Sequence, residues 1–137
     1  MAMVKKKTRV LISKIGLDGH DRGAKLVAHS LKAAGMDVAY LGIRHTIDEV
    51  VDKAIADKVN YLGLSFLAGD HLTLVRKIVD ELKKRKADNI RIVVGGIILK
   101  EHIAELESMG VQQVFLPGTP LSEIVDYIQA DSAKQAA

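Results

Sequence analysis

Five short runs of apolar, mostly β-branched residues alternate along the chain with five segments whose apolar residues recur at helical spacing. Strands that alternate with helices in this way form parallel sheets that are covered on both faces. We therefore predict an α/β, flavodoxin-like (Rossmann-like), doubly wound fold with a five-stranded parallel sheet in the order 2-1-3-4-5. A closed barrel of eight βα units takes about 250 residues, so 137 residues exclude it. The predicted strands are Arg9–Ser13, Val38–Leu41, Tyr61–Ser65, Ile90–Val94 and Gln113–Leu116.

The first predicted helix has these core-facing residues at helical spacing: Leu26, Val27, Leu31 and Ala34. The last predicted helix ends near Asp131, and no packing pattern follows it. The sequence thus predicts one domain, residues 9–131, between a basic N-terminal tail (1–8) and a C-terminal tail (132–137).

Charge and composition restrict the class of partner. The net charge is +3, and much of the excess lies in Lys5–Arg9 and Lys83–Lys86. Aromatic residues are only 4% and do not alternate with basic ones, so stacking on nucleic-acid bases is not expected. The chain has no cysteine, which excludes disulfides and thiolate metal sites. No apolar run is long enough to cross a bilayer. These features are typical of a cytoplasmic protein without nucleic-acid or membrane partners.

The connection after the first strand, Lys14-Ile-Gly-Leu-Asp-Gly-His-Asp-Arg-Gly23, carries the most chemistry. In a doubly wound sheet, ligands bind beyond the carboxyl ends of the strands, where the strand order reverses. Asp18 is spaced to hold one imidazole nitrogen of His20 while the other nitrogen faces a metal. Lys14 is placed to keep Asp18 ionised. Because one protein ligand does not make a zinc site, we expect any metal to arrive inside a cofactor.

Small residues follow the third, fourth and fifth strands at the same edge: Ser65-Phe66-Leu67, Gly95-Gly96 and Leu116-Pro117-Gly118-Thr119. Ser65-x-Leu67 and Gly95-Gly96 together predict a deep slot beside the third and fourth strands that admits a flat ligand, with one hydroxyl able to hydrogen-bond it. Most histidines of the chain are expected at the surface, namely His29, His45, His71 and His102. Only Asp70 and His71 are retained as candidate contacts at this edge.

With these residues in place, the chain resembles the cobalamin-binding domain of vitamin-B12 enzymes. The match is carried by Asp18-x-His20-x-x-Gly23, Ser65-x-Leu67 and Gly95-Gly96. The full string from Lys14 to Gly23 resembles the adenosylcobalamin-dependent acyl-CoA mutases more than glutamate mutase or methionine synthase. The length matches the small subunits of two-chain methylmalonyl-, isobutyryl- or 2-hydroxyisobutyryl-CoA mutases. The chain departs from the family pattern in that Ile97-Ile98-Leu99 lacks the proline that often follows the glycine pair.

The resemblance implies a role for each matched residue. His20 would be the axial ligand of cobalt in place of the cofactor's own dimethylbenzimidazole (base-off, His-on), with Asp18 on its other nitrogen and Lys14 behind Asp18. Ser65 would hydrogen-bond a benzimidazole nitrogen of the displaced nucleotide tail. The remaining cofactor-binding residues would be Gly19, Asp21, Arg22, Gly23, Leu67, Gly95, Gly96, Phe115 and Thr119.

The resemblance also implies a partner. Adenosylcobalamin would serve a radical carbon-skeleton isomerisation of an acyl-CoA. The acyl-CoA would be bound mainly by a large, barrel-type subunit in a heterotetramer of two large and two small chains. No residue of this chain would be catalytic by itself, and the chain would be inactive alone.

Other functions remain as alternatives. The first is a corrinoid carrier of a methyltransferase system, which shares the signature but usually has an additional N-terminal helical module. A phosphorylation receiver would need an aspartate at the end of the third strand, where this chain has Ser65. A flavin carrier would need aromatic residues at the loop tips, which offer only Phe66. A scaffold protein would have no use for the Lys14–Asp18–His20 arrangement.

Overall fold

The computed structural model describes residues 7–15, 22–66 and 71–136. Its strands are β1 (Arg9–Ile15), β2 (Asp37–His45), β3 (Tyr61–Phe66), β4 (Arg91–Gly96) and β5 (Val111–Phe115). Its helices are α1 (Arg22–Ala33), α2 (Ile47–Ala56), α3 (His71–Lys84), α4 (Lys100–Met109) and α5 (Leu121–Ala136). The alternation of strands and helices predicted from the sequence is confirmed.

All strands of the sheet are parallel, and their order is β2-β1-β3-β4-β5. The predicted fold is therefore confirmed. Because every strand runs the same way, the carboxyl ends of β1, β3, β4 and β5 lie along one edge of the sheet, which we call the carboxyl edge.

Two apolar clusters cover the two faces of the sheet. The larger cluster packs α2, α3 and α4 on one face, with Val50, Val75 and Leu106 fully buried. The other cluster packs α1 and α5 on the opposite face, with Leu31 and Ile128 fully buried. Thus α1 and α5 share one face of the sheet, and α2, α3 and α4 share the other.

The rotation of α1 differs from the prediction. Leu26, expected in the core, is 47% exposed, and Ala34 is also exposed. The buried residues are Ala24, Ala28 and Leu31. Leu26 follows Ala24 by two residues, about 200° around the helix, so the two cannot share a face. The small alanine side chains let α1 lie close to the sheet.

The far end of α5 is anchored to the amino edge of the sheet. The Tyr61 hydroxyl donates to Asp131 Oδ2 (2.6 Å), and Arg91 Nε donates to the same oxygen (2.7 Å). Burial, followed by the hydrogen bond to Asp131, raises the pKa of Tyr61. Burial alone would raise the pKa of Asp131, but the bonds from Tyr61 and Arg91 outweigh it and lower that pKa. This anchor is an ionised carboxylate held by two donors.

The helix continues beyond the predicted end. It extends past Asp131 to Ala136, and Ser132 Oγ lies 2.6 Å from Thr8 Oγ1. The tail expected after Asp131 is therefore helical, because the anchored residues hold its first turn against the sheet. Among the described helices, none combines the length and apolar character that crossing a membrane requires.

Candidate functional site

A cavity of about 250 Å³ opens between α1, α5 and the sheet at the carboxyl edge; we call it the slot. The predicted residues that line it are Gly23, Ser65, Gly95, Gly96, Phe115 and Thr119. They come from separate places along the chain and meet because their strands end at one edge. These six residues therefore surround one cavity, and their roles in cofactor binding stay predictions.

The wall of the slot that the sheet forms has two rows of residues, paired across β1, β3 and β4. The upper row, nearer the carboxyl edge, pairs Lys14, Ser65 and Gly95, of which Ser65 and Gly95 line the slot. The lower row is Ile12, Gly63 and Val93. The slot therefore has the Ser65 hydroxyl in the row nearer its mouth and the apolar side chains of Ile12 and Val93 at its floor.

Lys14 connects β1 to the hydroxyl of the slot. Its side chain is 1% exposed, and Nζ lies 3.4 Å from the Ser65 carbonyl oxygen and 3.5 Å from Ser65 Oγ. A buried ammonium needs such oxygen partners. Because an ammonium only donates, Ser65 Oγ accepts from Lys14, and its own hydrogen remains available for an acceptor in the slot.

Gly96 allows the ends of strands β3 and β4 to lie close together. It has φ 122°, and a β-carbon built on it would overlap the carbonyl oxygen of Phe66. That oxygen accepts a hydrogen bond from the backbone nitrogen of Ile97 (3.2 Å). By contrast, a β-carbon on Gly95 would meet only an ordinary contact, 3.6 Å from the Phe115 carbonyl oxygen. The backbone therefore requires glycine at position 96. At position 95 the backbone could accept a side chain, and the glycine matters only because a side chain there would reduce the space in the slot.

The β5–α5 connection closes the side of the slot. Phe115 is buried, and its ring meets that of Tyr127 edge-on at a centroid distance of 5.7 Å. The Thr119 hydroxyl donates to the carbonyl oxygen of Leu116 (2.6 Å) and tightens the turn. Both residues line the slot, and their contact with a nucleotide tail stays a prediction.

Part of the predicted site lies outside the described residues. This holds for Asp18, Gly19, His20, Asp21, Leu67 and Asp70. Arg22 is the first residue of α1. The roles predicted for these residues stay predictions. Within residues 7–15, 22–66 and 71–136 there is no group of three or more histidine, aspartate or glutamate side chains that could hold a metal ion.

One pair of residues at this edge was not foreseen. His71, expected at the surface, is 2% exposed, and its Nε2 lies 2.8 Å from Nδ1 of the half-buried His102. The Phe66 ring meets His71 edge-on at 6.2 Å. Each histidine lies in the first turn of the helix that follows β3 or β4. Because β3 and β4 are adjacent and parallel, this position could have placed both histidines at the same edge, although not in contact.

Known proteins match nearly the whole chain. A family model described as the B12 binding domain matches residues 8–125. The 2-hydroxyisobutanoyl-CoA mutase small subunit of Aquincola tertiaricarbonis is 44% identical over 129 residues, which are 94% of this chain and 95% of that protein. The pivalyl-CoA mutase small subunit of Xanthobacter autotrophicus is 43% identical over 129 residues, covering 94% of this chain and 86% of that protein.

A solved structure has the same arrangement. The crystal structure of a cobalamin-binding protein from Desulfitobacterium hafniense matches 91% of this chain and 59% of that chain, with a TM-score of 0.79 at 25% sequence identity.

Proposed function

Because the chain belongs to the family of B12-binding domains, we propose that it is the small subunit of a two-chain acyl-CoA mutase and that it binds adenosylcobalamin. The slot carries this proposal. It brings six of the predicted residues together beside the Ser65 hydroxyl, and the nucleotide tail of the cofactor would hydrogen-bond that group.

The dimensions and polarity of the slot fit that tail. A volume of about 250 Å³ is just below the roughly 300–1,000 Å³ typical of pockets for drug-sized ligands, and suits one bicyclic ring. The walls are mainly apolar, and Ser65 provides the hydrogen for a ring nitrogen. Lys14 fixes the orientation of that hydroxyl through its own contact with Ser65 Oγ. The described residues therefore suit the benzimidazole ring of that tail.

The connection of residues 16–21 would hold the metal end of the cofactor. His20 would supply the axial nitrogen to cobalt, and Asp18 would fix the tautomer of that ring. Lys14, on β1 just before this connection, would support Asp18. Gly19, Asp21, Arg22 and Leu67 would border the corrin and its tail. When bound, the cofactor supplies a cobalt–carbon bond whose cleavage starts radical chemistry; this chain binds and orients it.

The second subunit is part of the proposal. The relatives named above are small subunits of mutases for two different acyl groups. We propose a large, barrel-type chain that binds the acyl-CoA, in a heterotetramer with two copies of each subunit in the cytoplasm. The acyl group remains open, because those two relatives differ in it. The near-full-length match to mutase subunits favours this function over that of a methyl-group carrier.

A spectroscopic titration tests the proposal. The isolated chain should bind adenosylcobalamin and convert its absorption spectrum to the base-off form. His20→Ala should abolish that change, whereas His29→Ala, at an exposed position of α1, should leave it intact. An unchanged spectral shift in His20→Ala would refute the axial assignment. Turnover of an acyl-CoA by this polypeptide alone would refute the two-subunit proposal.

A further inference from the structure

The floor of the slot has a glycine at its centre. Gly63 lies in the middle of β3, between Ile12 on β1 and Val93 on β4. A glycine inside a strand weakens it and often marks the close approach of a ligand. β3 is the central strand of the sheet, where a weakened strand would lower the stability of the fold most. A reason for glycine at this position is therefore needed.

The backbone does not supply that reason. Among the described glycines, positive φ values occur at positions 35, 96, 110 and 118, but not at position 63. The remaining reason for glycine at position 63 is the lack of space for a side chain. A β-carbon on Gly63 would lie 2.6 Å from Cδ1 of Ile12 and 3.6 Å from Cγ2 of Val93. A methyl group there would occupy the floor and displace the end of the Ile12 side chain.

Gly63 is aligned with the hydroxyl of the slot. Gly63 and Ser65 are two residues apart on one strand, so they face the same side, about 6.6 Å apart along it. Ser65 offers its hydrogen near the mouth, and the floor below it is lined by Ile12 and Val93. This order, with a donor near the mouth and an apolar floor, matches a bicyclic base. Such a base accepts a hydrogen bond at one end and has a hydrocarbon edge at the other.

We propose that Gly63 is a specificity-determining residue that sets the depth of the slot for the lower base of the corrinoid. The inference rests on the proposed function. The missing side chain lets the end of Ile12 lie against β3, which keeps the floor clear for the apolar edge of a benzimidazole. A side chain at position 63 would push Ile12 into the slot and would shift preference towards corrinoids without a nucleotide tail.

The test compares two corrinoids, adenosylcobalamin and the tail-less adenosylcobinamide, in binding titrations with the full chain. Gly63→Ala should weaken binding of adenosylcobalamin at least about tenfold, as expected for overfilling a packed site. Binding of adenosylcobinamide should change by less than about twofold. Gly42→Ala is the matched control, because its β-carbon would meet only Tyr40 Cε2 at 3.9 Å on strand β2.

Two further variants keep the test decisive. In Gly63→Ala/Ile12→Val, the clashing Cδ1 is removed, so adenosylcobalamin binding should recover. Val93→Ile adds a methylene to the same floor without altering the glycine, and should weaken adenosylcobalamin selectively even where Gly63→Ala does not fold. Equal effects on the two corrinoids, or none on either, would overturn the inference. Failure of the unmodified chain to bind either corrinoid would instead overturn the proposed function.

Discussion

The side-chain nitrogen of Lys14 lies 3.5 Å from the hydroxyl oxygen of Ser65, so a buried cation on β1 contacts the only hydroxyl in the upper row of the slot. Lys14 was predicted to act on Asp18. Its position beside Ser65 gives it a second task, which is to orient the group that would meet the nucleotide.

Lys14→Met should weaken adenosylcobalamin binding about tenfold while preserving the length of the side chain. The variant removes a charged donor to Ser65, and hydrogen bonds to charged groups contribute about 1.5–3 kcal/mol. Isothermal titration with adenosylcobalamin and adenosylcobinamide measures the effect. Lys77→Met, at an exposed position of α3, is the control. If both corrinoids lost affinity equally, Lys14 would act through the metal end of the site and not through Ser65.

Gly96→Ala should destabilise the fold by about 3 kcal/mol or more. The new β-carbon would overlap the Phe66 carbonyl oxygen at a backbone conformation that disfavours side chains. Gly95→Ala, in which the β-carbon meets an ordinary contact, should cost much less. Urea unfolding of both variants measures the difference. Equal stability of the two would show that the β3 and β4 ends separate easily.

Asp131→Asn should lower the free energy of unfolding at pH 7 by about 2 kcal/mol, because it removes a carboxylate held by Tyr61 and Arg91. The pKa of Asp131 is lowered in the folded protein. Its ionised form therefore stabilises the fold fully above the unfolded value, near 3.9, and this stabilisation is lost as the pH falls through the folded value.

The difference between unmodified protein and Asp131→Asn should accordingly shrink as the pH falls below about 4. Unfolding curves from pH 7 to pH 3 measure it. Asp126→Asn, on an exposed part of the same helix, should show no such convergence. A constant difference over the whole range would contradict the assignment of an ionised anchor.

His102→Ala should lower the free energy of unfolding by about 1 kcal/mol, since it removes the partner of a buried ring nitrogen of His71. His29→Ala, on the exposed side of α1, should leave it unchanged. Chemical unfolding at pH 7.5 compares the two variants. Indistinguishable curves would mean that the histidine contact contributes nothing to the packing of α3 against α4.

The convergence of Gly23, Ser65, Gly95 and Thr119 was predictable, because the edge at which parallel strands end follows from topology alone. The exposure of Leu26 was not predictable from the sequence. Helical spacing allows more than one rotation of α1, and in the structure the face that carries Ala24 and Ala28 packs on the sheet. The burial of His71 depends on the side chains of two different helices. The role of Gly63 follows only from its neighbours in the sheet, Ile12 and Val93, which are distant in sequence.

The anchor at Asp131 has a mechanical consequence for the slot. The helix α5 is held at its far end by Tyr61, Arg91 and Thr8, whereas Ile124 and Ile128 nearer its start line the slot. With one end fixed, any outward tilt of α5 displaces Leu121 most and Asp131 least. We therefore expect any widening of the slot to come from a small tilt at the start of α5, with the hydrogen bonds around Asp131 left in place.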